Sequence, residues 1–305
     1  MKNIAIIANR KHKRAVRLKD YLARILPDNY NVYDKLTDRQ GHATQLAFEA
    51  VNENADMIIA AGGDGTMNEV INGIMQANEV QREKVIIGLF PQGTGNDFAR
   101  TAEVPKSMKE LSKLILDEHY RKIDVGFGEF VSGDGSKQSR YFDNIAEIGV
   151  GAKAVEIVNK SRKTLGSNLT FFIGVIRAFL GYKQQSVRIK AADFQWVGKI
   201  VAVCAANGRY FGSGLGIAPG AQLDDGNLSL VIVGNIRILH FLRYLPSLRK
   251  LKIIKHPEVH YLKVDSVEMH TNESYPVEMD GENVGYTPFV VKIIPSAVKL
   301  LMKRS

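Results

Sequence analysis

Cysteine, tryptophan and long apolar runs are all scarce in this chain of 305 residues. The single cysteine, Cys204, excludes an intramolecular disulfide and is typical of a protein in a reducing cytoplasm. No stretch approaches about 20 uncharged apolar residues, so we expect no transmembrane helix. The apolar run at residues 4–8 is too short for a signal peptide. A composition of 45% hydrophobic and 24% charged residues excludes disorder as the main state and predicts about two domains.

Acidic residues are fewer than basic ones, 32 against 41, which gives a net charge of +9. This excess favours anionic partners such as phosphates, nucleic acid or an anionic membrane face, without choosing among them. Two segments could touch lipid. Residues 169–180 carry an apolar stripe, which is more often core than membrane face. Residues 236–255 mix apolar and basic side chains with no acid, as in an interfacial segment or in a helix pair broken at Pro246.

The first third of the chain alternates between apolar strands and helices with short connections, which predicts a parallel sheet covered by helices. The predicted strands are residues 4–8, 31–36, 57–61 and 85–90. The predicted helices are residues 14–26, 42–51 and 68–75. From about residue 122 short strands separated by turns predict a second, largely antiparallel domain. These strands are residues 122–131, 137–144, 186–192, 199–205, 227–233, 259–270 and 276–280, with the boundary near 120–125.

Two glycine-rich turns end neighbouring predicted strands, and both fall where ligands bind in such sheets. Gly-Gly-Asp-Gly-Thr at 62–66 and Pro-Gln-Gly-Thr-Gly-Asn-Asp-Phe at 91–98 allow a ligand to approach the backbone closely. Backbone N–H groups at a helix start can hold phosphate oxygens. A tight turn with a capping aspartate is the plain alternative at each position. Together the turns predict that one polyphosphate is held from two sides.

Other motifs are weaker or absent. No P-loop sequence is present, and the Gly-x-Gly-x-x-Ala match at 149–154 lacks its acidic partner, so we interpret it as tight packing. The Asp-Asp-Gly turn at 224–226 is either a hard-cation site or a hairpin turn. The acids Glu278, Asp280 and Glu282 form either a site with a general base or a solvated acidic edge.

Over nearly its whole length the chain resembles the bacterial diacylglycerol kinase and lipid kinase family, whose catalytic domain is shared with sphingosine kinases. The motifs that carry the resemblance are 62–69, Gly-Thr-Gly-Asn-Asp-Phe-Ala-Arg at 93–100, 122–126, 207–219 with 223–226, and Met-Asp-Gly-Glu at 279–282. It implies a Rossmann-like parallel α/β nucleotide domain at 1–124, to which a tail at about 293–305 returns. It also implies a mainly antiparallel β-sandwich lipid-substrate domain at 125–292.

The resemblance also implies a role for each site residue. ATP would contact Asn9, Thr37, Gly63, Asp64, Gly65, Thr66, Met67, Asn68, Glu69 and Thr94. Glu282 would remove the proton of the lipid hydroxyl, and Asp64, Asp97, Asp124 and Asp280 would form a water-linked network around catalytic Mg²⁺. A second, structural Mg²⁺ would be bound by the carboxylate of Asp225 and the carbonyls of Gln222 and Asn227.

Two stretches depart from the family pattern. The family usually has Asn-Pro-x-Ser-Gly after its first strand, whereas residues 9–13 here are Asn-Arg-Lys-His-Lys, so only Asn9 carries over. Many members have Gly-Phe-Asp-Ala near residues 151–154, where this chain has Gly-Ala-Lys-Ala and lacks the aspartate.

We therefore predict an ATP- and Mg²⁺-dependent lipid kinase at the cytoplasmic membrane face, with diacylglycerol as its acceptor. A lipid surface is the expected partner, no nucleic acid is expected, and the resemblance is compatible with a homodimer. Two alternatives stay open at this point: a soluble kinase of a small alcohol or of NAD, and a nucleotide-sensing or nucleic-acid-binding regulator that has lost turnover.

Overall fold

The computed structural model describes residues 1–10, 13–160, 167–182 and 184–303. Contacts divide the chain into two compact units. The first unit comprises residues 1–125 together with the chain from residue 296 onward, and the second comprises residues 126–295. The loop at 9–13, which departs from the family pattern, lies partly outside the described residues, since residues 11 and 12 are not among them.

The first unit is a parallel sheet flanked by helices. Its elements are β1 (Lys2–Asn9), α1 (Lys13–Ile25), β2 (Tyr30–Thr37), α2 (His42–Asn52), β3 (Met57–Gly62), α3 (Asp64–Gln76), α4 (Glu79–Arg82), β4 (Ile86–Pro91), α5 (Asp97–Thr101) and α6 (Met108–Asp117). The strand order is β4-β3-β1-β2, and each of these pairings is parallel. This confirms the parallel α/β nucleotide-type domain that the sequence predicts.

Burial on both faces explains why these strands are so apolar. Ile4, Ile6 and Ile59 are fully buried in the core that forms on one face of the sheet, and Leu18 and Leu22 of α1 pack into the same core. Because the connections are short, the carboxyl ends of β3 and β4 come together, with Gly62 beside Pro91 in the register. The fold thus delivers both glycine turns to one edge of the sheet.

The second unit is β-rich. Strand β5 (Tyr120–Val131) leads into it, followed by β6 (Lys137–Phe142), β7 (Ile145–Gly149), α7 (Val150–Lys160), α8 (Ser167–Gly181), β8 (Ser186–Ala191), β9 (Phe194–Lys199), β10 (Ala202–Ala206), β11 (Tyr210–Phe211), β12 (Leu215–Gly216), β13 (Leu228–Val233), α9 (Ile238–Arg249), β14 (Val259–Val264), β15 (Ser266–Thr271), β16 (Pro276–Met279) and β17 (Glu282–Leu301). The last residues of β17 belong to the first unit, where Lys299 and Leu300 pair in parallel with β4.

Alternation along antiparallel strands gives this unit two cores. Val203 points into an inner core with Phe289 and Val291 of β17, between the strand layers. The neighbouring residue Cys204 points to the opposite face, which the described parts of α8 and α9 cover. The β-rich second domain is therefore confirmed, and Cys204 is packed there as a buried small hydrophobic residue.

Some details differ from the sequence prediction. The stretch 259–270 forms two strands that are separated at Asp265, and β9 was not predicted. Helix α9 continues through Pro246 instead of breaking there. In the stretch with the apolar stripe at 169–180, the side chains of residues 169–172 and 175 lie outside the described residues. Phe179 packs on the helix-covered core, and Leu180 is exposed. Across the described ranges, no helix combines the length and apolar character needed to cross a membrane.

Candidate active site

The two glycine-rich turns pack directly against each other in the first unit. Gly63 is the N-cap residue of α3, and the Gln92 N–H donates to the carbonyl of Gly62 at 2.8 Å. A Cβ atom added at Gly93 would lie 2.5 Å from the Cα of Gly63, which no side chain tolerates. At Gly63 a Cβ atom would lie 3.0 Å from the Cα of Gly93, so the backbone contact excludes a side chain at Gly93 and leaves little room for one at Gly63.

Side chains within the turns fix this arrangement. The Phe98 N–H donates to Oδ1 of Asp64 at 3.1 Å, so the first turn holds the start of α5. Asn96 adopts the left-handed conformation with φ of 50°. Its amide accepts from Gly93 N–H at 3.0 Å and donates to the Gly93 carbonyl at 2.7 Å. The backbone is thus held in place before any ligand arrives.

A basic pocket of about 310 Å³ adjoins the second turn. Three cationic side chains, Arg14, Arg100 and Lys106, line it together with Thr94. Arg14 is oriented because its guanidinium lies 5.3 Å from the centre of the Phe90 ring and donates to the Lys106 carbonyl. Convergent cations beside the glycine-rich turns suit a phosphate ligand. These three basic residues were not among the predicted site residues.

The other residues predicted to contact nucleotide have different surroundings. Asn9 and Thr37 are register neighbours at the carboxyl ends of β1 and β2. Met67 and Asn68 are buried within α3. The Glu69 carboxylate accepts the N–H groups of residues 41 and 43 at 2.8 and 2.9 Å, so it caps the start of α2. Met67, Asn68 and Glu69 therefore support the fold at the site. Asn9 and Thr37 lie where strands β1 and β2 end.

Gly65 and Thr66 occupy the first turn of α3. A Cβ atom at Gly65 would meet no atom within 4 Å, so space is open there. Thr66 packs its side chain against Gly62, where a Cβ atom would lie 2.2 Å from the hydroxyl oxygen. Thr66 therefore helps to explain the glycine at position 62.

Asp97 and Asp124 are buried carboxylates of the first unit. Asp97 is 6% exposed, and its Oδ1 lies 3.8 Å from Nε of Arg100. Asp124 is 1% exposed and accepts the Ser296 N–H at 2.7 Å, which ties the returning C-terminal segment to this unit. Within the described part of the chain no three His, Cys, Asp or Glu side chains form a ready metal cluster.

In the second unit, Asp280 and Gly281 form the turn between β16 and β17, with φ of 48° and 87°. The Asp280 carboxylate accepts three backbone N–H groups, from residues 143, 144 and 145, at 2.9, 3.2 and 2.9 Å. These bonds anchor the turn to the start of β7. The geometry thus gives Asp280 an anchoring role, and the place in a metal network that the resemblance implies stays a prediction.

Glu282 begins β17 directly after this turn. Its carboxylate forms an ion pair with Arg140 of β6, with 2.7 Å between Nη1 and Oε2. The Glu282 side chain keeps 27% of its surface exposed, so the carboxylate is oriented yet accessible. Arg140 was not predicted, since an arginine on an alternating strand carries no motif of its own.

The loop before β13 contains the predicted structural metal ligands. Oδ1 of Asp225 accepts the Asn227 N–H at 3.0 Å, and Oδ2 forms an ion pair with Lys263 of β14. Gln222 is exposed beside them. Carboxylate and carbonyl oxygens are the donors that Mg²⁺ prefers. Because the Lys263 ammonium already neutralises one carboxylate oxygen, the metal site at Asp225 stays a prediction.

Both glycines of the 149–151 stretch are packing positions. Gly149 has φ of 136°, and a Cβ atom there would lie 2.4 Å from the Val201 carbonyl. At Gly151 a Cβ atom would collide with the carboxylate of Glu147. The geometry agrees with the packing interpretation of this motif.

An apolar cavity of about 80 Å³ lies between the helix-covered face of the sheet and α9. Its walls include Phe179, Val233 and Phe241, and Glu147 of β7 also lines it. Such a cavity can bury part of a hydrocarbon chain.

The fold and these sites define a class: a parallel α/β unit with paired glycine turns beside a basic pocket, and a β-rich unit with an apolar cavity. Comparisons with known proteins give the family. The diacylglycerol kinase catalytic domain matches residues 3–127, and the YegS C-terminal NAD kinase beta sandwich-like domain matches residues 144–302. The chain belongs to the diacylglycerol kinase-like lipid kinase family and is a lipid kinase.

Individual relatives agree with this assignment. A diacylglycerol kinase of Staphylococcus carnosus is 31% identical over 252 residues, which cover 83% of this chain and 78% of the relative. A YegS-like lipid kinase of Chromohalobacter salexigens is 29% identical over 308 residues, 97% of this chain and 91% of the relative. A crystal structure of a protein assigned as a diacylglycerol kinase from Bacillus anthracis matches the fold with a TM-score of 0.79. The two sequences are 26% identical, and the match covers 99% of this chain and 98% of the Bacillus anthracis chain.

Proposed function

We propose that this lipid kinase transfers the γ-phosphate of ATP to the free hydroxyl of diacylglycerol, giving phosphatidic acid and ADP. The proposal that ATP is the phosphate donor rests on the contact between the glycine turns at Gly63 and Gly93, beside the basic pocket. The acceptor is supported by the Staphylococcus relatives that are named diacylglycerol kinases. The apolar cavity of the second unit also favours an acceptor with a hydrocarbon chain over NAD.

Phosphoryl transfer needs alignment and charge stabilisation more than covalent help from the protein. The paired turns would hold phosphate oxygens through backbone N–H groups, and Arg14, Arg100 and Lys106 would neutralise their charge. Asp64, Asp97 and Asp124 offer the hard oxygen donors that Mg²⁺ takes. The bound ion would supply neutralisation of the phosphate charge.

Glu282 is the proposed general base. Its carboxylate would accept the proton of the lipid hydroxyl while that oxygen attacks the γ-phosphorus and the bond to the ADP oxygen breaks. Arg140 would hold the carboxylate in one orientation, 2.7 Å away. Asp280 fixes the turn that precedes the base through its three backbone hydrogen bonds.

A transfer assay tests the proposal. Labelled ATP and Mg²⁺ are incubated with diacylglycerol in mixed micelles, and we expect labelled phosphatidic acid that disappears when EDTA removes the metal. Glu282→Gln should abolish transfer and leave ATP affinity nearly intact. Glu268→Gln, which removes an exposed carboxylate of β15, is the matched control and should keep full activity. Unchanged turnover in E282Q would refute the base, and no transfer by the wild type would refute the acceptor.

We also propose that the protein attaches peripherally to an anionic membrane surface, at the cytoplasmic face, through the segment 236–255. Helix α9 and the residues that follow it expose Leu239, Leu242 and Ile253 to solvent. Six basic residues share this segment and no acid does: Arg237, Arg243, Arg249, Lys250, Lys252 and Lys255. Exposed apolar side chains among cations are the pattern of an interfacial helix.

Co-sedimentation with vesicles of phosphatidylglycerol and phosphatidylcholine tests the membrane segment. The double change Leu239→Ser and Leu242→Ser should weaken binding at least tenfold, because it removes the apolar anchors. Val197→Ser, on exposed strand β9, should not change it. Equal loss in both variants, or no loss in either, would place the contact elsewhere.

A further inference from the structure

Glu278 is the acid of the 278–282 motif to which the proposed mechanism assigns no part. It lies on β16 and is 7% exposed. Its neighbours Val277 and Met279 point into the inner core, so alternation along the strand places Glu278 on the opposite, helix-covered face. An acid at such a position needs a reason, because an apolar side chain of similar volume would cost less to bury.

The chain turns sharply directly after this strand. Asp280 and Gly281 form a two-residue loop, because Met279 and Glu282 pair with each other on either side of it. Their φ values of 48° and 87° are those of a type I′ turn, which matches the twist of the flanking strands. Glu282 is the first residue after the loop, so the direction of its side chain depends on the geometry of the turn.

The Glu278 side chain reaches this turn from within the hairpin. Its Oε1 accepts the Gly281 N–H. Gly281 is outside the strand ladder, so its N–H needs an acceptor from a side chain or from water. A glutamate at position 278 supplies that acceptor, which is a physical reason for an acid on this buried strand.

The turn is thus held at two points. Asp280 ties it to the start of β7 through three backbone N–H groups. Glu278 binds the N–H of the peptide unit between residues 280 and 281, directly before the proposed base. The register of β16 and β17 also shifts between Val277 and Glu278, and such a bulge changes the local twist and re-aims nearby side chains.

We infer that Glu278 is a positioning residue: its hydrogen bond to Gly281 sets the turn that aims the Glu282 carboxylate at the acceptor hydroxyl. The inference rests on the proposed function, in which Glu282 is the base. Glu278 would touch neither nucleotide nor acceptor, since its carboxyl group is buried and bonded to the turn. A displacement of about 1 Å in a reacting group can cost on the order of a hundredfold in rate.

Two substitutions at Glu278 separate positioning from other roles. Glu278→Gln keeps an oxygen that can accept the Gly281 N–H, so transfer to diacylglycerol should retain at least about a third of the wild-type kcat. Glu278→Met has a similar length without that acceptor, and it should lower kcat at least about tenfold while the KM for ATP stays within about twofold. Wild-type kcat in E278M would overturn the inference. Complete loss of transfer in E278Q would also overturn it, because Glu278 would then act through its own proton transfer.

Hydrogen exchange of the Gly281 amide tests the contact without turnover. In protein labelled with ¹⁵N-glycine, this amide should exchange at least about tenfold faster in E278M and at the wild-type rate in E278Q, while other glycine amides exchange as before. Asp134→Leu is the matched control. Asp134 accepts the Ser136 N–H at 2.9 Å in the hairpin between β5 and β6, and its loss should change neither kcat nor Gly281 exchange.

The two measurements separate this inference from the kinase assignment. Unchanged Gly281 exchange in E278M would overturn the positioning contact even if the protein phosphorylates diacylglycerol. A wild type that transfers no phosphate would reject the acceptor and, with it, the part of Glu278 in the reaction. The exchange rates would then still show whether Glu278 holds the turn.

Discussion

The pH dependence of stability in the second unit should depend on Glu147. Burial holds the pKa of this carboxyl at about 7 in the folded protein, against 4.5 for an unburied glutamate. Between these two values the unfolded chain has lost a proton that the folded chain keeps. The folded state then binds more protons, so the free energy of unfolding falls as the pH rises through this window.

The size of the effect follows from the two pKa values. Each pH unit of difference corresponds to about 1.4 kcal/mol, so the loss between pH 4.5 and pH 7 is about 3 kcal/mol. Glu147→Gln cannot ionise, and its amide oxygen can still accept the Gly151 N–H. We therefore expect E147Q to match the wild type at pH 4.5 and to be more stable by about 3 kcal/mol at pH 8.

Urea unfolding at pH 4.5, 6 and 8 measures this difference. Trp196, the single tryptophan, lies on β9 of the second unit, so its fluorescence follows that unit. Glu278 also has a raised pKa, because of its burial and then because of the nearby Glu147 charge. The variants E278Q and E147Q/E278Q show how much of the remaining dependence of the unfolding free energy on pH comes from Glu278. The reasoning is wrong if E147Q loses stability with rising pH as steeply as the wild type.

Three further predictions concern the phosphate and base sites. Gly93→Ala should weaken ATP binding at least tenfold in calorimetry, because the new Cβ would lie 2.5 Å from the Gly63 Cα; wild-type affinity would place the phosphates elsewhere. Arg140→Ala should lower kcat while ATP affinity stays the same, and Arg140→Lys should recover part of the lost kcat. A change in KM for ATP alone would contradict the role of Arg140 in orienting Glu282. Asp280→Asn should lower the free energy of unfolding by about 1–3 kcal/mol in urea, since a carboxylate that holds three N–H groups loses its charge; equal stability would show that the turn holds without it.

The sequence predicts the first unit well because local signals and the tertiary structure agree there. Apolar runs of five or six residues and short connections leave few arrangements other than a parallel sheet. The parallel pairing of β3 with β4 then brings Gly62 to Pro91 and the two turns into contact. Adjacency of the turns could therefore be predicted from strand order. The close approach that would put a Cβ atom at Gly93 2.5 Å from the Gly63 Cα could not.

What the sequence could not predict are contacts between segments that lie far apart in the chain. Glu69 caps a helix that starts 27 positions before it, at His42, and Asp280 binds the N–H groups of residues 143–145. Arg140 reaches Glu282 only because two strands meet. Glu147 did carry a signal, since an acid inside the buried run Ile-Ala-Glu-Ile-Gly is unusual for a strand.

The acidic residues that carry the family resemblance divide by the partners that hold them. Asp64, Asp124 and Asp280 each accept backbone N–H groups, at distances of 2.7 to 3.2 Å. Backbone donors are fixed by the fold, so these carboxylates stay in place through a reaction cycle. Glu282 forms an ion pair with the Arg140 side chain, and a side-chain ion pair can rearrange when a hydroxyl approaches. A group that must take up and release a proton needs this freedom, which is a physical reason to assign the base to Glu282 and not to Asp280.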